Sequence, residues 1–133
     1  MATTQDALQI SAIVPSVTVD DLPKSIAFYE ALGFTVDQRW EDNGALLGAM
    51  LRAGKNQLGL NQDDWKKGRD RTKGIGMRLF MSTPQDVDEI ARRARAAGLR
   101  LDSEPYDTEW KTRAFEVTDP SGFLLTISSE IPA

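Results

Sequence analysis

The chain predicts an α+β fold of two tandem βαβββ modules, and three observations carry that reading. Strand and helix signals occur in the same order in both halves of the 133 residues. Each half holds one segment with apolar residues at helical spacing, closed by a glycine. The remaining apolar runs are short, β-branched and bounded by turn residues, as strands are. Repetition at about half the chain length marks an internal duplication, whose units bury a core only by pairing.

Ile10–Val19 reads as the first strand, with Ile10, Ile13, Val14, Val17 and Val19 supplying β-branched residues. Asp20 and Asp21 are N-cap candidates, Pro23 fits a first helical turn, and Leu22, Ile26, Tyr29 and Leu32 set a helix over about 22–32 that Gly33 ends. Phe34–Asp37 opens a strand, Asn43-Gly44 signals a hairpin, Ala45–Arg52 forms the returning arm, and Gln57–Leu60 is a third short strand after a turn at 53–56. Residues 61–74 are dense in charge and read as a solvated linker broken only by Trp65. Ile75–Met81 then alternates as a strand, Thr83-Pro84-Gln85-Asp86 starts a helix marked by Val87, Ile90, Ala94 and Ala97, and Gly98 closes it. Leu99–Ser103, Thr112–Thr118 and Phe123–Ser128 complete the second set of strands. Module 1 spans about 10–61, the linker about 62–73 and module 2 about 74–130, all within one domain over 1–133.

Composition narrows the chemistry. The chain has no histidine and no cysteine, the residues that supply most transition-metal ligands and most acid–base or nucleophilic catalysis at neutral pH. The net charge of −4 argues against a general nucleic-acid binder, which needs a basic face. No apolar run approaches the roughly 20 residues of a membrane helix. The polar start, Met1 to Gln9, shows no signal peptide. A cytoplasmic protein, with neither nucleic acid nor membrane as partner, is expected by default.

Two motifs then give the chain a relationship. Val19-Asp20-Asp21-Leu22-Pro23-Lys24-Ser25-Ile26-Ala27-Phe28-Tyr29, followed by Leu32-Gly33-Phe34, is the first; Arg113-Ala114-Phe115-Glu116-Val117-Thr118-Asp119-Pro120-Ser121-Gly122-Phe123 is the second. Together with the repeated element order, the chain resembles the vicinal oxygen chelate superfamily of glyoxalases, bleomycin-resistance proteins and extradiol dioxygenases. The resemblance implies curved sheets around a cavity with helices on the outer face. It also implies a homodimer whose cavities are shared. The metal-binding members' four ligand positions fall near Val14, Gly59, Gly76 and Thr126. Three of these carry no donor side chain and the fourth only a hydroxyl, so neither metal nor other cofactor is expected.

Strand alternation from those positions places Val14, Gln57, Gly76, Arg78, Phe80, Leu124 and Thr126 on cavity walls. Trp110 is the aromatic expected to reach a ligand, with Trp40 and Trp65 behind it. Arg78 has two readings: an anchor for an anionic or carbonyl-bearing ligand, or a salt bridge to Glu116 across the strands. Glu41, Asp42, Glu104, Asp107, Glu109 and Glu116 are carboxylates near the expected mouth, with no pair at a defined spacing. The preferred function is metal-independent binding of an aromatic or amphipathic small molecule by sequestration, without catalytic residues, as in bleomycin-resistance proteins. The alternative is a lyase, isomerase or dioxygenase with a non-standard site; a non-catalytic sensor is not separable from the first.

Overall fold

The computed structural model describes residues 7–131, so most of the polar N-terminal stretch lies outside them. In chain order the elements are β1 (Ser16–Val19), α1 (Leu22–Leu32), β2 (Thr35–Asp42), β3 (Ala45–Ala53), β4 (Asn56–Gln62), β5 (Arg78–Ser82), α2 (Val87–Ala96), β6 (Ser103–Asp107), β7 (Thr112–Thr118) and β8 (Leu124–Glu130). They make two four-stranded mixed sheets of the same topology, β1-β4-β3-β2 and β5-β8-β7-β6. The first strand of each set pairs in parallel with the last, and the other pairs are antiparallel. Among the described residues, no helix is long and apolar enough to cross a membrane.

Local chemistry sets the boundaries. Asp21 caps α1 by accepting from the Lys24 N–H at 3.2 Å, and Gly33 closes it at φ 110°. The side chain of Gln62 accepts from the Leu22 N–H at 2.8 Å and donates to the Asp20 carbonyl at 2.7 Å, locking β4 to the start of α1. Asn43 and Gly44 both take positive φ, 50° and 79°, as a two-residue hairpin turn requires.

Four elements differ from the sequence reading. The first strand starts at Ser16 rather than Ile10, because Pro15 has no N–H to extend the parallel ladder; its carbonyl accepts from Gly59 at 2.8 Å and the pairing begins there. The fifth starts at Arg78 rather than Ile75, since Gly74 and Gly76 take left-handed backbone, φ 82° and 72°. Helix α2 is capped by Asp86, which accepts from the Asp88 N–H at 2.9 Å, while Thr83 forms a local turn to the Gln85 N–H at 3.1 Å. The sixth strand is Ser103–Asp107; Leu99 and Leu101 pack on the core from the preceding coil. Pro105 sits inside it, tolerated because β6 is an edge.

A single apolar cluster unites both halves: Val17, Val19, Leu58 and Leu60 from one sheet, Leu79, Phe115, Leu125 and Ile127 from the other, and Leu22, Ile26, Tyr29, Val87 and Ala91 from the helices. The helices touch one another, so the chief junction between the halves is α1 against α2. Asp119, 3% exposed, secures it. Its Oδ2 accepts from the Tyr29 hydroxyl at 2.8 Å, and its Oδ1 accepts from the N–H groups of Ser121 (2.8 Å) and Phe123 (3.0 Å). The Asp20 N–H donates to Ser121 Oγ at 2.9 Å beside it.

Most of the linker is exposed, but buried Asp63 and Lys73 strap its ends to the fold. Asp63 is buried and accepts from the Trp65 N–H at 2.8 Å and the Arg71 guanidinium at 2.9 Å, and it pairs with Lys73 at 2.9 Å; Lys73 also binds Asp20. The Trp65 ring carries Arg69 at 5.0 Å and Lys73 at 4.9 Å. A Cβ on Gly74 would stand 2.2 Å from the Gly122 carbonyl oxygen, so the linker and the 119–122 turn meet backbone to backbone only because Gly74 has no side chain.

Tyr29→Phe leaves an Asp119 oxygen buried without its donor and should lower unfolding free energy by about 1–3 kcal/mol in urea denaturation. Burial and the Asp119 charge push the Tyr29 phenol well above its ordinary range. With the folded value raised, its contribution is intact below about pH 10 and falls above it. The opposite sign applies to Asp63. Hydrogen bonds from Lys73, Trp65 and Arg71 hold its carboxyl well below the carboxylate range, so its contribution is present above about pH 4 and lost as pH falls further. Asp63→Asn should therefore cost stability at pH 7 and flatten the acid limb of a stability-versus-pH curve.

Candidate functional site

Each sheet has one face under the helices and one open face. On the second sheet the open face carries Arg78 and Phe80 from β5, Leu124 and Thr126 from β8, and Glu116 from β7. The registers Arg78 to Leu124, Phe80 to Thr126 and Glu116 to Thr126 place them side by side. Phe80 is 66% exposed, whereas Thr126 is buried beneath its neighbours. Arg78 Nη1 donates to Thr126 Oγ1 at 2.9 Å and lies 3.7 Å from Glu116 Oε2. The other Glu116 oxygen accepts from the Tyr106 hydroxyl at 2.7 Å. The Arg78–Glu116 contact is thus present, but at a separation longer than a hydrogen bond. The Arg78 side chain is 40% exposed, and its guanidinium has N–H donors beyond the one given to Thr126.

The first sheet offers a different open face. Trp40 pairs with Gly48 across β2 and β3, and a Cβ on Gly48 would stand 3.0 Å from Trp40 Cε3. Gly48 therefore lets the indole lie down on the sheet, where it stays 40% exposed. Asn61 Nδ2 donates to Ser16 Oγ at 2.8 Å nearby. Gln57 donates to Asp37 Oδ2 at 3.1 Å, on the carboxylate that also pairs with Arg52 at 2.6 Å.

Arg78, Phe80, Leu124 and Thr126 form one patch, then, and Gln57 belongs to the other sheet. Val14 and Gly76 lie in coil before β1 and β5. Trp110 is 75% exposed in the β6–β7 turn, past the Glu130 end of β8. Along β8, Glu130 is six residue steps from Leu124 beside Arg78, about 20 Å at strand rise. Tyr106 escaped the sequence reading because Pro105 masks its strand; its partner Glu116 is the acid named above as a salt-bridge candidate for Arg78, from which it is separated by β8.

A divalent metal does not fit here. Val14, Gly59 and Gly76 offer no donor, and the Thr126 hydroxyl is engaged by the Arg78 guanidinium, whose positive charge opposes a cation. Among the described residues, no three Asp, Glu, His or Cys side chains gather to hold one.

The Glu116 hydrogen bond, followed by desolvation and the carboxylate's charge, raises the Tyr106 phenol above its ordinary value, against the opposing charge of Arg78. Ultraviolet titration of the native protein should show neither tyrosine ionising at the free-phenol value of about 10. Glu116→Gln should bring one of them, Tyr106, back down.

Comparison with known proteins fits this frame. No curated protein matches the chain. Among solved structures, TioX from Micromonospora sp. ML1 superposes with a TM-score of 0.74 at 21% identity, covering 91% of this chain and 99% of that one. A bleomycin-binding protein complexed with bleomycin gives 0.67 at 20% identity over 91% and 99%. Lactoylglutathione lyase from Agrobacterium tumefaciens gives 0.65 at 18% identity over 90% and 94%. These likenesses are of fold. The model of the Glyoxalase/Bleomycin resistance protein/Dioxygenase superfamily matches residues 9–127, nearly the whole chain, and the chain belongs to that superfamily.

Proposed function

We propose that this protein binds a small aromatic or amphipathic molecule without a metal and acts by sequestration, with the open face of the second sheet as its principal contact surface. The observation that carries the reading is Arg78, braced on Thr126 where metal-binding relatives would place a ligand. A guanidinium held by one neighbour and facing outward recognises a carbonyl or oxyanion, and Phe80 beside it supplies a flat apolar face. Membership of a superfamily that includes a bleomycin-binding protein supports ligand binding as the outcome.

A homodimer completes this picture. Phe80, Trp40, Ile75, Met77 and Leu47 are all exposed apolar residues, and a second copy placing its first sheet over this second sheet would cover much of that surface. Each cavity would then combine the Arg78 patch of one protomer with the Trp40 shelf of its partner, a closed two-fold arrangement. The enzymatic alternative rests on the Tyr106–Glu116 pair, an acid and a base in hydrogen-bond contact that could move a proton without histidine.

Bleomycin serves as the probe. Titration should quench tryptophan fluorescence saturably with no product formed, and Arg78→Ala should weaken affinity about tenfold, the loss of one charge-assisted hydrogen bond. Wild-type affinity in Arg78→Ala removes Arg78 from the site. Turnover of the methylglyoxal–glutathione hemithioacetal would move the assignment to the enzymatic alternative. Sedimentation showing only monomer would remove the shared cavity.

A further inference from the structure

Arg78 and Glu116 stand on β5 and β7, the strands on either side of β8. Their side chains reach over β8 to within 3.7 Å of one another and are 40% and 31% exposed. Each is held by a different neighbour. Arg78 Nη1 donates to the buried Thr126 hydroxyl at 2.9 Å, and Glu116 Oε1 accepts from the Tyr106 hydroxyl at 2.7 Å. What each keeps for a ligand follows by subtraction. The guanidinium has further N–H donors. Glu116 Oε2 accepts no hydrogen bond among the described residues, and it is farther from Arg78 than a hydrogen bond reaches.

A donor and an acceptor thus lie side by side, next to the exposed ring of Phe80 and the half-buried Leu124. A free carboxylate brought to Arg78 would lie nearly as close to Glu116, so attraction and repulsion largely cancel. An ammonium group meets the same cancellation in reverse. A neutral group with a C=O and an N–H on one edge meets neither penalty and gains both hydrogen bonds. An open-chain secondary amide cannot supply that edge, because a trans peptide unit points its N–H and C=O in opposite directions. A ring amide is held cis and points them the same way. We infer that the ligand of this face is a neutral, flat heterocycle with a cis-amide edge, a lactam, its C=O taken by Arg78, its N–H by Glu116 and its ring by Phe80. This rests on the proposed use of the open face for binding, and adds to it the choice of an amide edge over an oxyanion.

The test is a titration of the ¹⁵N-labelled protein at pH 7, followed by amide chemical shifts, with three probes of similar size. Isoquinolin-1(2H)-one is a lactam, isocoumarin has the same shape with a ring oxygen in place of the N–H, and 1-naphthoate is an anion. The lactam should shift residues 78–80, 116 and 124–126 saturably, with a dissociation constant on the order of a millimolar, as a ligand of roughly eleven heavy atoms supports. Isocoumarin should bind about tenfold more weakly, since its ring oxygen sets a lone pair against the Glu116 carboxylate where a donor is needed. 1-Naphthoate should bind about threefold more weakly than the lactam, and Glu116→Gln should tighten it by about the same factor, the scale of one half-exposed charge. Equal affinity for lactam and lactone, binding of 1-naphthoate as tight as the lactam's, or no tightening of 1-naphthoate in a folded Glu116→Gln would each overturn the amide edge and leave the face as the binding surface. No saturable shift in those segments with any probe would remove the surface itself, and the inference with it. The native-protein comparison needs no variant, so it decides alone if Glu116→Gln loses its thermal transition.

Discussion

The buried carboxylate of Asp119 is the constraint on which the rest of this structure depends. A charge out of water is tolerable only when its lone pairs are filled, and here three donors fill them. Two come from its own turn and shape the β7–β8 connection. The third, the Tyr29 hydroxyl, comes from the helix of the other half and ties the duplicated units at a defined angle. The Tyr29 ring is itself gripped edge-on by Phe28 and Phe34 at 5.1 and 5.4 Å, so the carboxylate is aligned by packed aromatics. The Asp20–Ser121 hydrogen bond and the Lys73 strap converge on the same junction.

With the junction set, the faces of the sheets divide the labour. Alternation buries Leu79, Leu125 and Ile127 against the helices and leaves Arg78, Phe80 and Glu116 on the open side. Charged groups there are mutually restrained rather than independent. Tyr106 holds Glu116, Glu116 lies near Arg78, and Arg78 braces on Thr126. Such a chain is preorganised, so a ligand that engages the guanidinium pays little to order it.

At the Arg78 patch a half-exposed cation stands beside an exposed aromatic ring, whereas Arg113, on the same sheet, is held by Asp88 and Asp107.

The sequence by itself determined the repeat, the periodicities of both helices and the hairpin at Asn43-Gly44, since each of these is written in neighbouring residues, and its composition fixed the absence of histidine and cysteine. It also placed Arg78, Phe80, Leu124 and Thr126 on one face, because alternation is local. Only the tertiary structure decided the rest. That Pro15 ends a ladder depends on β4 lying alongside. That Asp63 turns a charged run into a strap depends on Lys73 and Arg71 folding back. That Trp110 lies toward the opposite end of β8 from Arg78 depends on which end of that strand its turn abuts. That Tyr106 meets Glu116 depends on an edge strand able to absorb a proline. In each case the outcome depends on how segments that no single local pattern joins come to lie together, by strand pairing for Pro15, Trp110 and Tyr106 and by the linker folding back for Asp63.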